Sequence, residues 1–259
     1  MFRGRRIAVV VPAFNEAEKI GRTLRSVPGF VDYVFVVDDS SRDGTARIAR
    51  RSQRRGLTVL QHESNYGVGA AIATGYAAAM RAGAEVTAVM AGDSQMDPAD
   101  LVSLISPVVF GSADYAKGNR FAWPSGVYRV MPLSRLLGNV ALSYLTRVAS
   151  GYRHIFDSQC GYTAANRHAL GLILSGEVFP RYGYPNDLLA RLGSFGARVV
   201  DVPVRPVYGP EWRSGIRIGA VIVPLIRLVL RGTFSRAVRA IQRRVLGTRP
   251  LPLPQPPSP

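Results

Sequence analysis

The stretch "RIAVVVPAFNEAEKIGRTLRSVPGFVDYVFVVDDS", residues 6–40, decides the fold class. It holds two β-branched runs, "RIAVVVPAF" and "DYVFVVDDS", separated by "NEAEKIGRTLRSV", whose apolar residues recur at helical spacing. A strand that is apolar at nearly every position has both faces covered, and two such strands joined through a helix lie parallel. The alternation continues outward: "DGTARIARRSQRRG" reads as a helix, "LTVLQHES" as a strand, "GVGAAIATGYAAAMRAG" as a helix and "VTAVMAGD" as a strand. A helix near residues 98–109, a strand in "ADYAKGNRF" and a long helix in "PLSRLLGNVALSYLTRVASG" follow. The expectation is an α/β protein with a mostly parallel sheet flanked by helices. Ligands then bind beyond the carboxyl ends of the strands, where "PAFNE", "DDSSRDGT" and "GDSQMDP" fall.

With 259 residues, 47% hydrophobic and 19% charged, the chain supports one sizeable core and is not disordered in character. Its net charge is +16, carried almost wholly by arginine, since Lys19 and Lys117 are the only lysines. Guanidinium groups suit phosphate, nucleic acid or anionic lipid. Nucleic acid is disfavoured, because the aromatics are not interleaved with arginines on a strand platform. The lone Cys160 excludes an intramolecular disulfide and fits a reducing compartment. The N-terminal apolar run reaches Pro12 too soon for a secretion signal, and no stretch approaches the ~18 apolar residues that cross a bilayer. The segment "WRSGIRIGAVIVPLIRLVLRGTFSRAVRAIQRRV" interrupts apolar runs with Arg217, Arg227 and Arg231, then places Arg236, Arg239, Arg243 and Arg244 at roughly helical spacing. That pattern fits a helix in the headgroup zone of an anionic membrane, or a helix packed on the sheet with a solvated basic face. The expected division is a catalytic domain over 1–212, a basic amphipathic extension over 213–247 and a Pro-rich disordered tail over 248–259.

Within "VMAGDSQMDP", residues 89–98, Asp93, Gln95 and Asp97 alternate after a strand, as oxygen ligands for a hard cation would, with Ala91 where another carboxylate could stand. Asp97 and Asp100 equally suit the cap of a following helix. Asn15 and Glu16 open one helix and Asp43 another, as caps or as ligand contacts. Adjacent Asp38 and Asp39 repel unless hydrogen bonds or a cation hold them. "NYGVGAA" permits close backbone approach, yet it lacks the third glycine and the first-strand position of a dinucleotide fingerprint, which disfavours an oxidoreductase. His62, His154 and His168 show no metal-ligand spacing.

Taken in order, "VVVPAFNEAEKI", "VVDDSSRDGT", "NYGVGAAIATGY", "AGDSQMDP", "GNRF", "DSQCGY" and "RPVYGPEWRSGIR" resemble the family-2 glycosyltransferases of GT-A (Rossmann-like) fold. The similarity is to the branch of dolichyl-phosphate mannose synthase and bacterial polyprenyl-phosphate glycosyltransferases. The resemblance implies that Pro12, Asn15, Glu16, Asp39 and Gly69 surround a GDP- or UDP-linked sugar. It implies that Asp93, supported by Gln95, stands for the family's DxD metal site, with Ala91 replacing its first aspartate and Mg²⁺ or Mn²⁺ as the cation. Arg120 in "GNRF" would reach phosphate or sugar, while Arg135, Asn139, Ser158, Gln159, Arg213 and Arg217 would face the acceptor. Asp187 in "YGYPNDLLARL" matches the acidic residue that serves hydroxyl acceptors as a base. The implied activity is inverting transfer of a sugar from the nucleotide-sugar to a polyprenyl phosphate, by a cytoplasmic enzyme peripheral on the inner face of the membrane. Transfer to a hydroxyl acceptor, with Asp187 as base, is the rival reading.

Overall fold

The chain's first strand, β1 (Ile7–Ala13), is buried at every residue, and its alternate side chains feed two cores. Ile7, Val9 and Val11 join Ile20, Leu24, Leu104 and Ile105 on one face, whereas Ala8 and Val10 join Ile72, Tyr76, Leu188 and Leu192 on the other. Each buried Val or Ile contributes roughly 1.5–3 kcal/mol against an exposed one, so this strand fixes the centre of the sheet. Helix α3 (Val68–Arg81) presses close against it: a Cβ on Gly75 would stand 2.2 Å from Val10 Cγ1.

The computed structural model describes residues 1–123, 131, 133–181 and 183–207, with the backbone alone for 133–135. After β1 come α1 (Ala17–Ser26), β2 (Tyr33–Asp38), α2 (Thr45–Arg50), β3 (Leu57–Gln61), α3 and β4 (Val86–Val89). A 3₁₀ turn (Pro98–Asp100) leads into α4 (Leu101–Val109), then β5 (Tyr115–Asn119), α5 (Leu133–Ser150), β6 (Thr163–Asn166), α6 (Arg167–Leu174), α7 (Tyr184–Phe195) and β7 (Val199–Pro203). The strands form one sheet in the order β3-β2-β1-β4-β6-β5-β7. All neighbouring pairs are parallel except those of β6, which runs antiparallel to both β4 and β5. The chain lays β2 and β3 on one side of β1 and β4 on the other, which makes the carboxyl ends of β1 and β4 a topological switch point.

The mostly parallel α/β sheet expected from the sequence is present. Its extents differ where local chemistry stops an element early. Helix α2 ends at Arg50, not near Gly56, because no apolar residue after Ala49 anchors it; Arg54 turns back to donate to the carbonyls of Pro28 and Val31. The sequence reading also lacks β6 and β7, which are short and, in "TAAN" and "VVDVP", interrupted by polar residues. The extension over 213–247, the tail over 248–259, and Arg213 and Arg217 lie outside the described residues. Among the described residues no helix is long and apolar enough to cross a membrane.

Candidate active site

Three non-glycine residues adopt the left-handed backbone region at the carboxyl ends of central strands: Asn15 after β1, Ser40 after β2 and Ser94 after β4. Such conformations cost energy and persist where surrounding contacts over-determine them. Here those contacts are explicit. The Asn15 amide donates to Ser41 Oγ and its Oδ1 accepts from the Arg42 amide, so the β1 and β2 loops are tied to each other. The next two amides, at the start of α1, donate to Thr45 Oγ1 (Glu16, 2.9 Å) and Asp43 Oδ2 (Ala17, 3.0 Å). Asp43 thus caps two helices, accepting also from the Thr45 amide and hydroxyl. Asn15 itself works as a loop tie, and Glu16 is left with its carboxylate over the switch point.

Glu16, Lys19 and Asp93 form the charged centre of this crevice. Lys19 Nζ stands 3.6 Å from Glu16 Oε2. Burial pushes the Glu16 carboxyl above its usual range; Lys19 pulls back, and the charges of Asp93 and Asp43 add to the rise. Burial likewise raises Asp93, opposed by the Gln95 amide and by Lys19. Asp93 Oδ1 accepts from that amide at 3.0 Å, closing a tight turn around Ser94, whose hydroxyl meets Thr23 on α1. Both acidic groups are raised chiefly by desolvation, and such a pair favours the approach of positive charge.

Whether a divalent cation fits depends on the donor set. Among the described residues no group of three or more His, Cys, Asp or Glu side chains gathers for a metal, so a closed protein cage is excluded there. Asp93 with Gln95 fits the other mode, in which Mg²⁺ or Mn²⁺ takes one or two protein oxygens and completes its shell with substrate phosphates and water. Asp97 does not join them. Its Oδ1 accepts from the Ala99 amide, and its Oδ2 pairs with Arg205 at 3.1 Å, so the capping alternative describes it. Arg205 also pairs with Asp100 at 3.5 Å, and an isolated bridge between Met96 and Pro206 lays the chain after β7 over this turn.

The β2 and β3 ends meet at Asp39. Its carboxylate accepts from the Tyr66 and Gly67 amides at 2.9 and 2.7 Å and lies 2.7 Å from His62 Nδ1, while His62 Nε2 meets Thr74 Oγ1. Asp39 therefore shapes the loop that rims the crevice, and His62, given no role from sequence spacing, orients it. Asp38, wholly buried beside it, keeps Oδ1 without a hydrogen-bond partner among the described residues. Gly69 answers a close approach, but of protein: its amide donates to Pro180 O at 2.7 Å, and a Cβ there would stand 2.1 Å from Phe179 O.

A second polar cluster lies beyond β5. Arg120 grips buried Asp157 through Nε at 2.7 Å and Nη2 at 2.9 Å, and its amide donates there too. Burial raises Asp157, but Arg120 and Lys117 outweigh it and hold the carboxyl below its usual range. Lys117, fully buried, donates to Cys160 O, and burial lowers its ammonium pKa. Asp201 on β7 accepts from Asn119 Nδ2 and the Phe156 amide; burial, with the Asp157 charge adding, pushes it up to about 6. Sequence reasoning missed Lys117 and Asp201, although a charged residue in the middle of an apolar strand was a readable signal for both.

That cluster carries the "DSQCGY" loop. Ser158 is wholly buried and bonded to Ser143 of α5; Gln159 Nε2 donates to Ser158 Oγ and to Asn186 Oδ1, which also accepts from Thr146. Asn186 Nδ2 is buried without a partner among the described residues. Asn139 is buried on the same face of α5, with Nδ2 3.5 Å from Met131 Sδ. The side chain of Arg135 lies outside the described residues. Asp187 accepts from the Phe179 amide at 3.0 Å and lies 3.5 Å from Arg191, tying the loop before α7 to its first turns.

Comparison with known proteins gives this geometry a relationship. The model of glycosyl transferase family 2 matches residues 8–173. The polyprenol monophosphomannose synthase of Mycolicibacterium smegmatis is 31% identical over 243 residues, 90% of each chain. The undecaprenyl-phosphate mannosyltransferase of Micrococcus luteus is 30% identical over 86% of this chain and 93% of its own. Among solved structures, glucosyl-3-phosphoglycerate synthase from Mycobacterium tuberculosis, in complex with Mn²⁺, UDP-glucose and phosphoglyceric acid, superposes with a TM-score of 0.65 at 26% identity, covering 89% of this chain and 80% of that one.

Proposed function

This chain belongs to glycosyl transferase family 2, and from that premise we propose that it transfers a sugar from a GDP- or UDP-linked donor to a polyprenyl phosphate, with inversion at the anomeric carbon. The observation that carries the reading is the charged crevice of Glu16, Lys19 and Asp93 at the β1/β4 switch point, where open α/β sheets bind nucleotides. The names of its relatives supply the acceptor class.

In this reading Pro12, Asn15, Glu16, Asp39 and Gly69 form the walls and rim that hold the nucleotide-sugar. Asp93 and Gln95 would hold a Mg²⁺ or Mn²⁺ ion, which supplies neutralisation of the charge developing on the departing diphosphate. Asn139, Ser158 and Gln159 line the acceptor side, with Arg135, Arg213 and Arg217 assigned to the acceptor phosphate. Arg120, forked on Asp157, keeps that loop in register with β5. A phosphate monoester has its second pKa near 6 and arrives largely ionised, so the attacking oxygen needs orientation more than a base. Asp187, occupied by Phe179 and Arg191, suits that economy. The domain boundaries of 1–212 and 213–247, a cytoplasmic location and attachment to the inner membrane face belong to the same proposal.

The test is to incubate the protein with radiolabelled nucleotide-sugars, polyprenyl phosphate and Mg²⁺ or Mn²⁺. Label should enter the organic phase with one donor and stay there under mild base, as a phosphodiester-linked sugar would. Transfer confined to water-soluble hydroxyl acceptors would overturn the proposal and return Asp187 to the role of base.

A further inference from the structure

Tyr184, the first residue of α7, is sunk into the core that also holds Tyr76, Tyr115 and Leu188, with 9% of its surface exposed. A phenol buried this deeply usually gives its hydroxyl to a neighbour. Other tyrosines of the same region do so: Tyr162 donates to Asp97 O, Tyr152 donates to Ala197 O, and Tyr76 meets Thr163 Oγ1. Tyr184 Oη has no such partner among the described residues. Its surroundings place it at a junction. A Cβ on Gly161, in the "DSQCGY" loop, would stand 3.0 Å from that hydroxyl and 3.3 Å from Met96 Cε, in the "GDSQMDP" turn. A Cβ on Gly69, near the start of α3, would stand 2.9 Å from the Tyr184 Cβ. The hydroxyl therefore lies between the turn that carries Asp93 and the loop that carries Gln159, within reach of the charges of Asp93 and Arg120. Burial raises the phenol well above its ordinary range, with Tyr76, Cys160 and Asp93 adding and Arg120 opposing, so the proton stays on the oxygen.

We propose that Tyr184 is a substrate-contacting residue, whose O–H donates to an oxygen of the transferred sugar where the donor and acceptor sides meet. The inference rests on the glycosyltransferase reading and deepens it. The nucleotide is assigned there to the ends of β1 and β2, whereas the sugar must reach the acceptor, and Tyr184 stands between the two. Its chemistry selects the sugar over either phosphate. A single neutral O–H suits a hydroxyl or ring oxygen, while an anionic phosphate is met better by charged donors such as arginine. Gly161 then has a reason to lack a side chain. It does not adopt the left-handed region, so its backbone accepts alanine, and the Tyr184 hydroxyl and Met96 Cε are what crowd a Cβ there.

The test is Tyr184→Phe in the full-length chain, which keeps the ring and removes one oxygen. The donor is whichever of UDP-glucose, UDP-N-acetylglucosamine and GDP-mannose labels polyprenyl phosphate with the wild type. For that donor kcat/KM should fall about tenfold or more, while affinity for the free nucleoside diphosphate stays unchanged. Gly161→Ala should lower kcat/KM in the wild type, and should cost less than about twofold once Tyr184 is Phe, because the Cβ and the hydroxyl contend for one place. Four results would each overturn the inference: unchanged kcat/KM in Tyr184→Phe, a matching loss of nucleoside diphosphate affinity, a fall confined to the KM of the acceptor, or fully additive losses in the double variant. Urea melts accompany the kinetics, and a Tyr184→Phe chain that does not fold would assign the hydroxyl to the core and overturn it too. Transfer undiminished in Tyr184→Phe removes this contact alone, whereas a wild type that labels no lipid with any of the three donors strikes the proposed function.

Discussion

Asp93 stands alone where the family resemblance leads one to expect a pair. Its hydrogen bond from the Gln95 amide lies within its own turn, so Asp93→Ala should change stability by less than about 1 kcal/mol. In the proposed function its loss removes the carboxylate assigned to the metal and donor diphosphate, and turnover at saturating donor should fall about a hundredfold or more. Near-normal kcat with a folded variant would remove "GDSQMDP" from the donor site. Asp187 gives the opposite expectation. Asp187→Asn keeps an acceptor for the Phe179 amide and gives up a 3.5 Å pair to Arg191. With an already anionic phosphate as nucleophile, kcat on the native acceptor should fall by less than about tenfold, whereas removal of a general base typically costs 10²–10⁴-fold. A drop of about a thousandfold with donor binding unchanged would establish the hydroxyl-acceptor reading.

Between β5 and β7, parallel pairing sets Lys117 opposite Asp201 and Asn119 opposite Pro203, so a seam of charge runs through the sheet beneath the "DSQCGY" loop. Asp201 Oδ1 is buried without a hydrogen-bond partner among the described residues, and its carboxyl is pushed up to about 6 from 3.8. Between those values the folded chain holds a proton that the unfolded chain has released, so this group's contribution to stability falls as pH rises from about 4 to 6 and is level above. Asp201→Asn retains an oxygen for Asn119 and Phe156 and does not titrate. Its stability relative to wild type should therefore climb across that window, by at most about 3 kcal/mol, in urea melts at pH 4.5 and 7. A difference independent of pH would show that Asp201 does not titrate there. The seam also marks the limit of what the sequence discloses. Strands β1, β2, β4 and most of β5 are legible because apolar or small residues fill them, and the switch-point residues follow from strand order. Strand β6 offers only "TAAN", and its antiparallel insertion depends on partners more than 70 residues away for β4, as the pairing of Val86 with Asn166 shows. The role of Asp39 was half legible: its place at a strand end was plain, but its clamp on the Tyr66 and Gly67 amides depends on a loop the sequence does not position.

At the scale of the molecule, the proposed attachment to an anionic membrane can be tested on the arginines of the 213–247 segment. Apolar insertion depends little on ionic strength, whereas attraction of surface charge to anionic lipid is screened within ~3 Å at 1 M salt against ~10 Å at 0.1 M. Replacing Arg236, Arg239, Arg243 and Arg244 together by Gln in the full-length chain keeps side-chain length and removes four charges. At roughly 1 kcal/mol per basic residue near the surface, affinity for anionic vesicles at low salt should drop by up to about a thousandfold. In 1 M salt the quadruple variant and the wild type should converge. Flotation with vesicles across a salt series measures both proteins together. If the quadruple variant floats as wild type does at low salt, the arginines of 213–247 face water or protein, and the basic charge of the chain serves something other than lipid.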